Sequence, residues 1–343
     1  MPLGADVRPL TSSDVRVMLR NTSPVSGPLH VIAVVSNPCE YRRRYDLARQ
    51  FITRFQTVES CDAVLLYVVE LAYGSQAFAV TEKHNPRHLQ VRTDTPPLWH
   101  KENMINMGVR MLLPPKWAAF AWIDADVEFE SDTWATDTLA ALAVWDTVQL
   151  FSHAVDLDAH QHPMSVFSGF GYNLVHRGRY EVVPGSTNYS HPGFAWAMTR
   201  AAYDRMGGLY EHGILGNGDH HMVMSLVGRP DASVHAGASR GLFSHVAAFA
   251  RRCKGLTIGY VPGVIRHYFH GAKANRKYVE RWSVYIANGY NPWSHVGARA
   301  ADGLLVPSPS CPPQLCAGIL RYFRERNEDE GTCESVTPPV GCA

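Results

Sequence analysis

Apolar and polar positions fall into blocks along the N-terminal part of the chain, and the period changes from block to block. Residues 29–37 (LHVIAVVSN) form an unbroken apolar run closed by turn residues, the pattern of a strand buried on both faces. Residues 41–55 (YRRRYDLARQFITRF) switch to helical spacing, with Tyr45, Ala48, Phe51, Ile52 and Phe55 on one face. CDAVLLYVVEL (61–71) predicts a second buried strand. WHKENMINMGVRMLL (99–113) predicts a helix that turns Met104, Ile105, Gly108, Met111 and Leu112 inward, and AAFAWIDADVEF (118–129) predicts the next strand. Strand, helix, strand, helix, strand over residues 30–127 implies an α/β domain. Its sheet is mostly parallel and Rossmann-like, flanked by helices, and binds ligands at the C-terminal ends of its strands. Asn37, Glu70 and Asp124 fall at such ends. Residues 1–27 have little pattern and read as a mobile N-terminal arm. Residues 28–300 read as the single folded domain, and 301–343 as a Pro- and Cys-rich tail around one short helix, Gln314–Arg324.

Composition narrows the class. With 343 residues, 46% apolar and a net charge of +1, the chain is an ordinary globular protein with no global electrostatic pull toward nucleic acid or membrane. No apolar run approaches the length of a membrane-spanning helix, and the N-terminus lacks the pattern of a signal peptide. The seven cysteines include no C-x-x-C pair, so reduced thiols in a cytoplasmic protein are expected. The turn after the first strand has neither G-x-G-x-x-G nor a Walker lysine, which argues against dinucleotide and P-loop folds by motif.

Charge is segregated. Trp117–Asp158 carries acids and no Lys or Arg, whereas Arg240–Arg281 is basic with Glu280 as its sole acid. Two solvated faces would give this pattern, and so would a site where acids hold a cation and bases hold an anion. Asp124 and Asp126 sharpen the second reading. Aspartate is poor in strands, and residues i and i+2 point the same way, so both carboxylates reach one place. A divalent cation balances them there; hard oxygen ligands suit Mn²⁺ or Mg²⁺, which also hold phosphate oxygens. A solvated strand-end turn is the alternative for an isolated D-x-D. GVIRHYFHGAKANRKYVERW (263–282) sets His267 and His270 among Arg266, Lys273, Arg276 and Arg281, which makes both histidines candidates for a third ligand.

The order LWHKENMIN, WIDADVEF, GFAWAMTRAAYDRMGGLYE, ILGNGDHHM and IRHYFHG resembles the metal-dependent GT-A glycosyltransferases, in particular the branch of beta-1,4-galactosyltransferases and polypeptide GalNAc-transferases. The resemblance spans roughly residues 30–282. It implies the GT-A fold, a UDP-sugar donor, Mn²⁺ (or Mg²⁺), and transfer of a hexose or N-acetylhexosamine to an acceptor hydroxyl. By that resemblance, Asp126 is the metal-binding aspartate and Asp124 touches the metal or the donor ribose. His267 stands where the metal-ligand histidine falls, with His270 close enough to be the ligand instead. Asn37, Pro38, Arg42 and Arg43 match the first-strand loop that receives the nucleotide, and Trp99 and Lys101 match the helix start lining the uridine pocket. Arg276 belongs to the basic stretch that holds the diphosphate. Gly193 and Trp196 match the turn shaping the sugar and acceptor site, to which His220 also belongs, and Asp219 matches the general base of inverting members.

The chain departs from the family in two respects. GNGD stands where galactosyltransferases carry GGED, and no membrane anchor is legible, so a bacterial, viral or cytosolic setting is expected, the host cytoplasm if viral. The acceptor is not written in the sequence. A glycan or lipid-linked sugar is the first expectation. The patch Arg251, Arg252, Lys254, Lys273, Arg276 and Lys277 leaves room for a phosphate-rich one, such as DNA with modified bases or a teichoic-type polymer. A nucleotidyltransferase on a related sheet and a non-catalytic sugar or nucleic-acid binding module are the other readings.

Overall fold

The longest apolar runs become the centre of a seven-stranded mixed sheet. The computed structural model describes residues 9–57, 63–181 and 189–331. Helix α1 (Ser12–Arg20) leads into β1 (Leu29–Ser36), α2 (Arg42–Thr57), β2 (Val64–Tyr73), β3 (His88–Thr93), α3 (Lys101–Met111) and β4 (Ala119–Ile123). There follow β5 (Val127–Phe129), α4 (Trp134–Leu142), β6 (Thr147–Gln149), β7 (His153–Leu157), β8 (Pro163–Gly169), α5 (Phe170–Arg177), β9 (Ser190–His191) and β10 (Ala195–Thr199). Next come α6 (Arg200–Met206), α7 (Gly218–Leu226), α8 (Arg240–Cys253), β11 (Ile258–Tyr260) and β12 (Val264–His267). The described chain closes with α9 (Trp282–Ala287), α10 (Pro292–His295), β13 (Val296–Ala298), β14 (Leu305–Pro307) and α11 (Pro313–Glu325).

The main sheet runs β11-β6-β10-β4-β1-β2-β3. β1 lies between β2 and β4, parallel to both, which is why its sequence is apolar on both faces. β10 is antiparallel to β4 and β6, so the sheet is mixed. Its register sets Trp196 opposite Trp122, and both indoles are fully buried. A second sheet, β5-β12-β7-β8-β9, starts just past Asp126. There β12 inserts between β5 and β7, with His267 opposite Val127 on one side and Asp156 on the other. This pairing brings the acidic and basic segments of the sequence together.

Two segments differ from the sequence reading. Within the expected mobile arm, Thr11 and Asp14 form a reciprocal capping box that starts α1, and the helix buries Val15 and Leu19. A helix this short shows too few turns for its period to stand out. Past residue 300, Leu304, Leu315 and Ile319 join the same core cluster as Ile32 and Trp122. Each such buried aliphatic contributes roughly 1.5–3 kcal/mol, so α11 is anchored to the domain. Cys39, Cys253, Cys311 and Cys316 are free thiols, while Cys61, Cys333 and Cys342 lie outside the described residues. Among the described residues, no helix is long and apolar enough to cross a membrane.

Candidate metal centre and active cleft

A cleft of about 390 Å³ opens at the C-terminal ends of β1 and β4. Ser36, Trp99, Lys101, Asp124, Asp126, Gly193, Asp219, His220, His267, His270 and Arg276 are among the residues that line it. Phe323, Arg326 and Glu328, just past or at the end of α11, close one wall.

Asp126, His267 and His270 converge, each offering a ligand atom within 4.8 Å of the others. Asp126 Oδ2 lies 2.9 Å from His270 Nε2, and its Oδ1 lies 3.8 Å from His267 Nε2. That Oδ1 is buried and has no hydrogen-bond partner among the described residues. A buried carboxylate oxygen without a donor is costly, and a two-nitrogen, one-oxygen cluster is the donor set of a divalent transition metal. The residues therefore fit such an ion. Burial would raise the Asp126 carboxyl, but His270 and His267 outweigh it and hold it well below the usual carboxylate range. Arg276 Nη2 lies 2.7 Å from His270 Nε2 and adds positive charge at the triad.

The far sides of the two rings are also held. His267 Nδ1 is 2.7 Å from Asp156 Oδ1. His270 Nδ1 is 3.7 Å from Glu328 Oε1, whose carboxylate takes a fork from Arg44 at 2.8 and 2.5 Å and a bond from Arg326 at 2.6 Å. Phe194 packs its ring 4.6 Å from that of His267. Its backbone has φ of 78°, an uncommon conformation for a bulky residue and one that gathers at functional sites.

Beside the triad stands a second cluster. Lys101 Nζ lies 2.7 Å from Asp124 Oδ1 and 3.1 Å from Asp219 Oδ2. Burial would discharge this lysine; Asp124 and Asp219 outweigh it and hold its proton well above the ordinary range. Burial, aided by Asp126 and Asp219, lifts Asp124 to about 6 against the pull of Lys101. Glu102 is pushed up to about 8 by burial and then by Asp219. Asp219 sits in the first turn of α7, where the helix dipole favours an anion. Two glycines make room for these groups. A Cβ on Gly193 would come 3.0 Å from Asp219 Oδ2, and one on Gly218 would come 2.3 Å from Glu102 Cδ. His220 is lowered to about 4 by burial and by Arg281, so it is neutral, and its Nε2 is buried without a partner among the described residues.

Not every sequence candidate reaches the cleft. Trp196 is core, its indole N–H donated to the Pro192 carbonyl at 2.9 Å. Asn37 is turned inward, bonding the backbone N–H and carbonyl of Tyr41. The backbone N–H groups of Arg42 and Arg43 bond Asp329, and Arg43 Nε donates to the Phe269 carbonyl. Asn37, Pro38, Arg42 and Arg43 are absent from the cleft lining, and Arg44 takes that place. Its position is legible in retrospect, since Arg44, Ala48, Phe51 and Phe55 share the inward stripe of α2. Trp99 lines the cleft and stacks on Phe323 with centroids 5.7 Å apart and planes 5° apart, and Arg326 lies 5.0 Å over the indole.

No protein-family model matches the chain, and no curated protein matches it either. Solved structures do. A Drosophila beta-1,4-galactosyltransferase 7 mutant in complex with manganese, UDP-Gal and xylobiose is similar at 10% identity over 85% of this chain and 98% of that one, with a TM-score of 0.42. The catalytic domain of the Drosophila enzyme with xylobiose is similar at 11% identity and a TM-score of 0.35. That match covers 69% of this chain and spans 65% of that one. The 4-diphosphocytidyl-2C-methyl-D-erythritol synthase of Anaerococcus prevotii is similar at 11% identity, over 69% and 88% of the two chains, with a TM-score of 0.32.

Proposed function

We propose that the protein is a metal-dependent glycosyltransferase that moves a hexose or N-acetylhexosamine from a nucleotide sugar, a UDP-sugar first, to an acceptor hydroxyl with inversion. One observation carries this reading: the nitrogen-rich triad Asp126, His267 and His270 and the lysine-held carboxylate Asp219 line the same cleft. Asp126, His267 and His270 would hold a divalent cation, Mn²⁺ ahead of Mg²⁺ given two imidazole ligands, and it would supply a Lewis acid for the charge that grows on the departing diphosphate. Arg276 adds fixed positive charge in the cleft beside the triad, where phosphate oxygens would meet it, whereas Arg44, also in the lining, is held by Glu328. Trp99, Phe323 and Arg326 offer a flat aromatic and cationic wall for the base. Asp219 takes the proton of the acceptor hydroxyl as that oxygen bonds the sugar C1 and the C1–O bond to phosphate breaks. Lys101 fixes the direction of the Asp219 carboxylate, and neutral His220 is free to bond a sugar hydroxyl.

A thermal-shift screen of metals and nucleotides, followed by release of UDP from UDP-sugars, tests this. Stabilisation by UDP with Mn²⁺ and slow metal-dependent hydrolysis support the transferase. Stabilisation by nucleoside triphosphates with pyrophosphate release would replace it by a nucleotidyltransferase. The acceptor in this reading is a glycan or a lipid-linked sugar. Nucleic acid as acceptor would instead show steep loss of binding with salt.

A further inference from the structure

Asp156 is the penultimate residue of β7, well removed in sequence from both Asp126 and His267, and only 2% of it is exposed. Sheet register places it between two neighbours: His267 directly opposite on β12 and Ser165 directly opposite on β8. Its two oxygens are divided. Oδ1 faces His267 Nδ1 at 2.7 Å, while Oδ2 meets the Lys273 ammonium and, at 3.4 Å, the Ser165 hydroxyl. Lys273 also donates to Ser165 at 3.0 Å, so the carboxylate is charge-balanced without needing the histidine to be charged.

The consequence lies on the other side of the ring. With the Nδ1 proton committed to Asp156, the Nε2 lone pair points away, toward Asp126 Oδ1 at 3.8 Å and His270 Nε2 at 3.3 Å. Phe194 packs against the ring 4.6 Å away and restricts its rotation. A carboxylate behind a ligand histidine fixes its tautomer and raises its basicity. We propose that Asp156 is the positioning residue of the metal centre, presenting Nε2 of His267 as a ready-made ligand. This rests on the reading of Asp126, His267 and His270 as a metal site.

Two readouts test it. Free Mn²⁺ is measured by electron paramagnetic resonance during titration of the wild type, Asp126→Ala, Asp156→Asn and Asp156→Ala, with folding of each checked by circular dichroism. Wild type binds, Asp126→Ala does not, and Asp156→Asn binds about 10–100-fold more weakly. Imidazole nitrogen NMR of the metal-free wild type, above the histidine titration range, shows His267 protonated at Nδ1 and bare at Nε2. This second measurement needs no variant, so a misfolded mutant cannot shield the idea. A purely structural Asp156 would lower the melting temperature of a folded Asp156→Asn protein and leave its Mn²⁺ affinity within about twofold, against the 10–100-fold expected. That result, or a proton on Nε2 of wild-type His267, overturns the proposal while the metal site stands. Failure of the wild type to bind any divalent transition metal removes the metal site and this proposal together.

Discussion

The ammonium of Lys101 lies 2.7 Å from the carboxylate of Asp124. The two strand-end aspartates are therefore balanced separately. Asp124 is met by a lysine from the start of α3, and Asp126 by the two histidines and Arg276. The pair that looks symmetrical in sequence serves two different neighbours, and Asp126 alone belongs to the triad.

The neighbouring acid Glu102 makes stability depend on pH. Its folded pKa is about 8 against an ordinary 4.5, chiefly through burial and then Asp219. Between these values the folded protein keeps a proton that the unfolded chain releases. Stability should thus be complete at the acid end and fall as pH rises toward 8, by up to about 1.4 kcal/mol per unit. Glu102→Gln mimics the protonated form and should flatten that slope. Urea midpoints across this range, with chelator present, measure it; an equally steep fall in the variant would show that Glu102 is not its source. Asp124, raised to about 6, leaves a residual slope of the same sign at lower pH.

Gly218 tests the same packing without charge. A methyl group there would meet the Glu102 carboxyl carbon at 2.3 Å. Gly218→Ala should cost about 1–3 kcal/mol, the range for overpacking a tight interior, despite the better helix propensity of alanine. Chemical denaturation reads the loss. A variant as stable as the parent would mean that Glu102 has room to turn away.

Asp126→Ala should abolish turnover and the stabilisation by Mn²⁺ while the fold survives, since the side chain belongs to the turn between β4 and β5 and to no apolar core. His267→Ala and His270→Ala should each weaken metal binding by about 10–100-fold or more. Calorimetric titration with Mn²⁺ compares all three. A response confined to one histidine would reduce the triad to a pair.

Asp219→Asn should lower kcat by about 10²–10⁴-fold and leave binding of UDP with Mn²⁺ nearly unchanged, because a base acts only in the transition state. Product release with an acceptor and calorimetry with UDP separate the two quantities. If the anomer of the product matches the donor and kcat persists in the variant, Asp219 orients the acceptor and is no base.

The readable part of this protein is its interior. Buried parallel strands such as β1 and β2 announce themselves as long apolar runs, and α2 spans enough turns to show a period, whereas α3 is buried on every side from Glu102 to Val109 and leaves Met111, expected inward, exposed. Short strands such as β6, β9 and β11 have only two or three residues and no period to show. In the site, Asp126, His267, His270 and Asp219 stand out because acids and histidines cluster near turns. Asp156 and Glu328 do not. Each meets its histidine through tertiary pairing, and in sequence each is one acid among several. Arg42 and Arg43 neighbour the first turn in sequence, yet helical phase hands the cleft to Arg44.

Glu328 gives assembly of the site an order. Its carboxylate joins Arg44, near the start of the domain, to Arg326 and His270. On the ribosome, the sheet bearing Asp126 can form long before Glu328 has left the exit tunnel. During that interval His270 lacks the acid behind it, and Arg44 and Arg326 lack their shared counter-charge. The nascent protein should therefore acquire its central sheet before its metal affinity. Chains stalled ahead of Arg326 should lack this shared acid and capture a divalent ion poorly.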